Sequence, residues 1–463
     1  MSKTPESTPG ILVKAARIFL GAFFLICVGY NLASVESISR ALKYYTSYKA
    51  VLERRTYAKD PLDKQLTVWS RAPHALEGGA LLIGSEYSQN LALMLVDEQG
   101  HILHRWQAEN KLFNPNVLQW WKTIAMEEGF SLHDALLQPN GDVIFIQKLM
   151  DVNNFSGQRL ARMDRDSNIL WQVPGNFNHF IEIAGNPQHI YVPDSRLVKE
   201  LPEVGPKLNN TSYLEDWIVA FTLDGRKINE WSVVDAFARS PYRHWLTSFA
   251  IDPDMDDVQR IEMPDGRVLY DLFHLNSVQY LDAVKARALP GAIEGDLLLS
   301  FRGLNALAVL RPSTRQIVWA AKGPWQHQHN VRVGNDGKLY IYDNEGKRVV
   351  TSYDGRTPTE AKLTRLVTYN PFNGQLDEIW SGQDLYSAYL GYYYHLPNGS
   401  WILSSPQHAS IFVVSPEKAI TWMLRTVPDP TPGEVPHRKQ ISTVHYYSAA
   451  ELSFLKISET TQH

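Results

Sequence analysis

A single cysteine, Cys27, stands in the 463-residue chain. That excludes an intrachain disulfide and a metal site built on several thiolates. One-sided charge is also missing: 45 Lys and Arg face 49 Asp and Glu, a net of −4. Without a basic block there is no electrostatic footprint for nucleic acid, and none is expected as a partner. The phosphate loop G-x-x-x-x-G-K-[ST] is absent, because Ile341 stands where the first glycine before Gly346-Lys347 belongs. No H-E-x-x-H occurs either, so neither a nucleotide-type donor nor a helix-borne zinc site is supported. Aromatics are plentiful instead: 13 Trp and 22 Tyr suit a sheet-rich protein.

The N-terminus carries an apolar run from Ile11 to Ser34 with an uninterrupted core at Ile18 to Tyr30. If Lys14 and Arg17 snorkel, it reaches the ~20 residues a bilayer requires. No small-x-small pair closes the run, and Ile26 precedes Cys27 where a lipoprotein signal has a small residue. We read residues 11–34 as an uncleaved anchor after a tail at 1–10. Residues 35–75 follow as a juxtamembrane helix and linker. Basic residues flank both sides (Lys3, Lys14 and Arg17 before; Arg40, Lys43, Lys49, Arg54 and Arg55 after), so charge alone assigns no orientation.

Beyond residue 75 a unit recurs. One half is a turn followed by a strand ending in Trp, at Trp106, Trp171, Trp231, Trp319, Trp380 and Trp422. The other half is a turn into an apolar strand, as in "LQPNGDVIFI" and "GNDGKLYIY". β-rich units at a period of tens of residues, without long amphipathic helices, predict an all-β fold. Six Trp-ended units predict a six-bladed β-propeller over residues 76–463. Residues 232–272 break the rhythm and are expected to hold a short helix and an excursion over one face. Their "DPDMDD" reads as a solvated acidic loop, since Asp257 and Met263 stand where a calcium loop needs Gly and Glu.

Histidines recur in phase with the repeat. His133, His179 and His329 each precede a turn residue (Asn140, Asn186, Asp336) by seven positions, and His274 opens the same pattern ahead of an insertion. In a propeller the first strand of each blade lines the central channel. The four rings are therefore expected to converge at one mouth, the place where ligands bind. His395 is out of phase, its slot being Gly391, and His327 should point away from His329 if both lie in a strand. His408 is a candidate from a loop. Arg302 interrupts an apolar strand, and a buried guanidinium calls for an anion.

Histidines with a permanent cation and no carboxylate suit an oxyanion better than a metal dication, so no metal and no cofactor are expected. A neutral imidazole can also accept a transferred group covalently, dividing a hard step into two.

The stretches "QHNVRVGNDGKLYIYDNEG", "LFHLNSVQYL", "LLLSFRGLNALAVL" and "LHDALLQPNGDVIFI" resemble the arylsulfotransferase family of nucleotide-independent aryl-sulfate sulfotransferases from the bacterial envelope. The likeness covers most of residues 80–425. It implies a six-bladed propeller that moves a sulfuryl group from an aryl sulfate to a phenol-type acceptor through a sulfohistidine. On this sequence it puts the nucleophile at His329. His179, His274 and Arg302 would hold the sulfuryl oxygens, with Asn276 assisting and His133 close by. It also implies a periplasmic or extracytoplasmic propeller, here held at the membrane by the N-terminal helix. The chain departs in having Asn330 after His329 and no cysteine pair. The alternative is a membrane-anchored propeller that binds or scaffolds without catalysis.

Overall fold

The protein is described from a computed structural model. Described are residues 66–85, 91–108, 130–149, 159–198, 212–247, 260–262, 268–352, 358–382, 385, 387, 390–426 and 441–457. The anchor at 11–34 and the "DPDMDD" loop lie outside these residues. No helix among the described residues is long and apolar enough to cross a membrane.

Six separate sheets follow one another along the chain, antiparallel except for one parallel pairing in the third, which makes a six-bladed propeller. Blade I contains β2 (Ala80–Ser85), β3 (Leu91–Val96) and β4 (Ile102–Ala108). Blade II is β5 (Phe130–Leu137), β6 (Val143–Leu149), β7 (Arg159–Met163) and β8 (Ile169–Pro174). Blade III is β9 (Glu182–Ala184), β10 (His189–Val198), β11 (Ser212–Thr222) and β12 (Lys227–Ser232), widened by β13 (Arg260–Glu262) and β14 (Val268–Asp271). Blade IV is β15 (Leu275–Tyr280), β16 (Leu297–Phe301), β17 (Ala306–Arg311) and β18 (Gln316–Lys322). Blade V is β19 (His329–Val333), β20 (Leu339–Ser352), β21 (Pro358–Tyr369) and β22 (Leu376–Ser381). Blade VI is β23 (Tyr393–His395), β24 (Trp401–Ser405), β25 (Ser410–Val414) and β26 (Ile420–Thr426).

The ring closes twice. β27 (Ile441–Tyr447) pairs with β2 and completes blade I, while β1 (Leu66–Ser70) pairs with β26 and widens blade VI. The stretch 66–70, which the sequence reading puts in the linker, is therefore a propeller strand. The expected excursion at 232–272 contains a short helix, α1 (Val233–Ala238), whose N-terminus is capped by the Ser232 side chain accepting from the Asp235 N–H.

Strand side chains alternate between faces, and here both faces of a blade are buried. Ala80 and Leu82 face blade II while Leu81 and Ile83 face blade VI. Leu297 and Leu299 pack toward blade III, and Leu298 toward blade V. Each of the six apolar clusters thus lies between two neighbouring blades. This is why the strands read as continuous apolar runs. Each fully buried Leu or Ile contributes roughly 1.5–3 kcal/mol.

The repeated tryptophans lie within the fourth strand of every blade, which runs on past Trp instead of ending there, and five of them donate the indole N–H to a turn carbonyl of the next blade. Trp106 reaches Gly141, Trp171 Leu223, Trp231 Pro312, Trp380 Lys418 and Trp422 Glu98. The last of these joins blade VI back to blade I. First strands pack side by side around the channel, β27 beside β5, β9 beside β15 and β15 beside β19.

Candidate active site

The innermost strands are irregular where the histidines sit. β5 bulges at His133, β15 at Asn276, and β19 between His329 and Arg332. A bulge re-aims the side chains beside it. His179, His274 and His327 take left-handed backbone conformations, with φ of 55°, 52° and 54°. Such a residue costs roughly 1–2 kcal/mol without glycine. Packing and hydrogen bonds around it must hold it there. At His274 they are visible: its carbonyl accepts from the Arg302 N–H at 3.0 Å, and the Phe273 carbonyl accepts from the Gly303 N–H.

These distortions bring the four in-phase imidazoles together around His179. Its ring centroid lies 5.9 Å from that of His133, 4.9 Å from His274 and 5.9 Å from His329. Blade VI adds no histidine. Its slot is Gly391, where a Cβ would come within 2.2 Å of the Tyr342 ring. His395 stacks on Trp401 instead.

His329 is fully buried. Its Nδ1 lies 2.9 Å from the His327 carbonyl and 2.9 Å from Asn344 Oδ1. The amide of Asn344 is oriented by its own donors, since Nδ2 bonds the carbonyls of Ser387 at 2.9 Å and Leu390 at 2.7 Å. Two acceptors at Nδ1 put the proton there and leave the lone pair on Nε2. Nε2 is buried and makes no hydrogen bond among the described residues. Burial first, then the Arg302 charge, lowers the His329 pKa to about 3. The ring is a neutral base with its lone pair uncommitted.

Arg302 begins a 3-10 turn directly after β16 and is 3 % exposed. One of its terminal nitrogens lies 3.4 Å from His327 Nδ1, which also meets Glu345 Oε2 at 3.0 Å. His327 precedes β19, so the expected strand alternation with His329 does not apply. Its carbonyl orients the His329 ring while its own ring stands between a guanidinium and a carboxylate.

On the other side, His274 Nδ1 meets Asp271 Oδ2 at 2.6 Å and its Nε2 meets His179 Nε2 at 3.2 Å. His179 Nδ1 is 2.7 Å from Asn178 Oδ1, and the His179 backbone N–H donates to His133 Nδ1 at 3.0 Å. Asn276 is buried and donates to the Gln328 carbonyl at 2.6 Å, pinning blade IV to the residue before His329. His408 ends the 3-10 turn Pro406–His408 between β24 and β25, the counterpart in blade VI of the turn bearing Arg302.

Four residues of this arrangement escape a reading by histidine phase: Asn344, Asp271, Asn178 and Glu345. The available signal for two of them was "DNE" at 343–345 inside a strand, where β-depleted polar residues need a reason. Among the described residues no group of three or more His, Cys, Asp and Glu side chains is arranged to hold a metal ion.

A family model described as arylsulfotransferase (ASST) matches residues 135–426, well over half of the chain. That span includes His179, His274, Arg302 and His329. Comparison with curated proteins yields no match. Among solved structures the chain is similar to a protein of unknown function from Bacteroides caccae (TM-score 0.40, 11% identity, 80% of this chain and 98% of that one). It is also similar to the periplasmic gluconolactonase of Pseudomonas aeruginosa (TM-score 0.41, 11% identity, 80% and 99% covered). Likenesses this distant bear on neither ligand nor reaction.

Proposed function

This chain belongs to the arylsulfotransferase family, and from that premise we propose that it moves a sulfuryl group from an aryl sulfate to a phenol-type acceptor through a sulfohistidine at His329. The observation that carries the proposal is the state of that ring: neutral, its Nδ1–H committed to two oxygens, its Nε2 lone pair uncommitted.

In the first half, Nε2 attacks sulfur. The S–N bond forms as the bond from sulfur to the aryl oxygen breaks, and the electron pair leaves with that oxygen, which takes up a proton. The imidazole becomes positive, and its Nδ1–H then makes charge-assisted bonds to His327 and Asn344. In the second half a phenol surrenders its proton, its oxygen attacks sulfur, and the S–N bond breaks to restore His329. Arg302 stabilises charge on the sulfuryl oxygens, while His179 and His274 offer the substrate the one proton between their Nε2 atoms. Nothing in this cycle needs a cofactor.

The test is direct. The protein incubated with a chromogenic aryl sulfate should release phenolate in a burst and gain the mass of one SO3 unit, and His329→Ala should do neither. A His329→Ala protein that still acquires the adduct removes His329 from the role. We propose that the apolar run at 11–34 anchors the chain, and that the propeller lies on the extracytoplasmic side, a reading supported only by the envelope location that the family resemblance implies. Protease digestion of sealed vesicles checks it: protection from the outside of right-side-out vesicles overturns it.

A further inference from the structure

Proton positions around His179 and His274 can be counted from their partners. Asn178 Nδ2 donates to the Asn176 carbonyl at 3.1 Å and to Ser195 Oγ at 2.9 Å, and Ser195 donates onward to Asp216 Oδ1 at 3.2 Å. The Asn178 oxygen must therefore accept, so His179 Nδ1 carries a proton. A second proton lies in the contact between the two Nε2 atoms at 3.2 Å. A third lies between His274 Nδ1 and Asp271 Oδ2 at 2.6 Å. Two neutral imidazoles and a carboxylate hold only two protons, so the array His179–His274–Asp271 holds one more.

Other groups around the array leave this count intact. Asp216 on β11 is fully buried, accepts the Leu275 N–H at 3.0 Å, and has its carboxyl pushed well above the usual range by burial first and by the Asp271 charge second. Asp271, not Asp216, is the carboxyl that meets His274. His133 Nδ1 is occupied by the His179 backbone N–H, and His329 is kept neutral.

We propose that Asp271 is a positioning residue that stores the proton the departing aryl oxygen receives, by holding His274 as the proton-rich partner of His179. The inference rests on the sulfuryl-transfer reading above. When the bond from sulfur to the aryl oxygen breaks, the proton shared by the two Nε2 atoms moves to that oxygen and leaves the array as two neutral rings and a carboxylate. The acceptor phenol returns a proton to the array as its oxygen attacks sulfur, so the cycle balances. Asp271 acts through His274, the ring its carboxyl bonds.

The experiment measures the single-turnover burst with aryl sulfates whose phenols differ in acidity. General acid help matters for poor leaving groups and little for good ones. Asp271→Asn should lose on the order of 10²-fold with the least acidic phenol and less than about tenfold with nitrophenol. Asp271→Glu should restore part of the loss. Equal loss across the series, or none, overturns the proposal, the former being what a merely structural role produces. A wild-type measurement serves even if Asp271→Asn does not fold. Deuterated solvent should slow the burst for poor leaving groups only, and no slowing at either end overturns the inference. Failure of the sulfohistidine itself appears separately, as adduct formation in His329→Ala.

Discussion

Asn344 Oδ1 lies 2.9 Å from His329 Nδ1, and both residues are buried. The oxygen can face the ring because the amide nitrogen of Asn344 is held by the carbonyls of Ser387 and Leu390, and Thr364 Oγ1 in turn bonds the Asn344 carbonyl at 2.8 Å. Blade V thus supplies the nucleophile and the segment entering blade VI supplies the means of choosing its tautomer. The proposed chemistry depends on that choice, since a proton on Nε2 would abolish its nucleophilicity.

Replacing Asn344 with Ala should therefore slow sulfuryl-adduct formation by about 10²-fold, as a misoriented reacting group does. The variant should also lose about 1–3 kcal/mol, because the Leu390 carbonyl loses this donor and the Ser387 carbonyl is left with Thr364. Burst kinetics and urea unfolding read the two effects. An unchanged burst rate would mean that the His327 carbonyl alone sets the tautomer.

The His329 pKa gives a second expectation. It is lowered to about 3 in the folded protein, against about 6.5 in an unfolded chain. Between those values the unfolded state binds the extra proton, so stability rises with pH there. The contribution is complete above about pH 6.5 and is lost as pH falls toward about 3, by up to about 1.4 kcal/mol per unit. His329→Gln should flatten that part of the stability profile, measured by urea midpoints from pH 7 down to 4. Equal slopes in both proteins would contradict the assignment.

Arg302 acts on the same ring from the other side. Its charge is the second cause of the lowered His329 pKa. Arg302→Gln should cost about 10²–10³ in kcat, by the scale of losing one oxyanion donor. It should also raise the pH below which the burst fails, because the ring becomes easier to protonate. A loss confined to KM would instead assign Arg302 to ground-state binding.

How much of this was legible follows from what repeats. The blade count and the fourth strands could be read because Trp recurs within each, and in five blades it serves as a donor to the next blade's turn carbonyl. His133, His179, His274 and His329 could be read for the same reason, as one phase of a repeated strand brings its side chains to one place. Asp271 and Asn344 fall outside that logic. Asp271 ends β14, a strand that pairs with β11 of blade III outside the four-strand repeat. Asn344 lies within the long second strand of blade V, and only register places it beside His329. The left-handed turn at His327 was equally hidden, because nothing in "PWQHQHN" distinguishes a turn residue from a strand residue. Strand β1 escaped because it pairs with β26, more than 350 residues later, and "LTVWS" alone is too short to separate from a linker.

Closure of the ring offers the last prediction. Three contacts close the ring: β27 on β2, β1 on β26, and the Trp422 indole N–H on the Glu98 carbonyl at 2.8 Å. The indole is 1 % exposed and lies in the cluster between blades VI and I. Trp422→Phe keeps an aromatic ring in that cluster but removes the donor, so the Glu98 carbonyl loses its bond across the junction. Glu98 is half-buried, so water partly replaces the lost donor and the cost should be about 0.5–1.5 kcal/mol, the net worth of one hydrogen bond. Trp69→Phe on the half-exposed β1 edge should stay within about 0.5 kcal/mol, as surface changes do. Guanidinium unfolding separates the two: the Trp422 variant should shift its midpoint at constant slope, showing that blades VI and I still unfold with the rest. A smaller slope would instead mean that the junction opens first, making the closure a weak point of the ring.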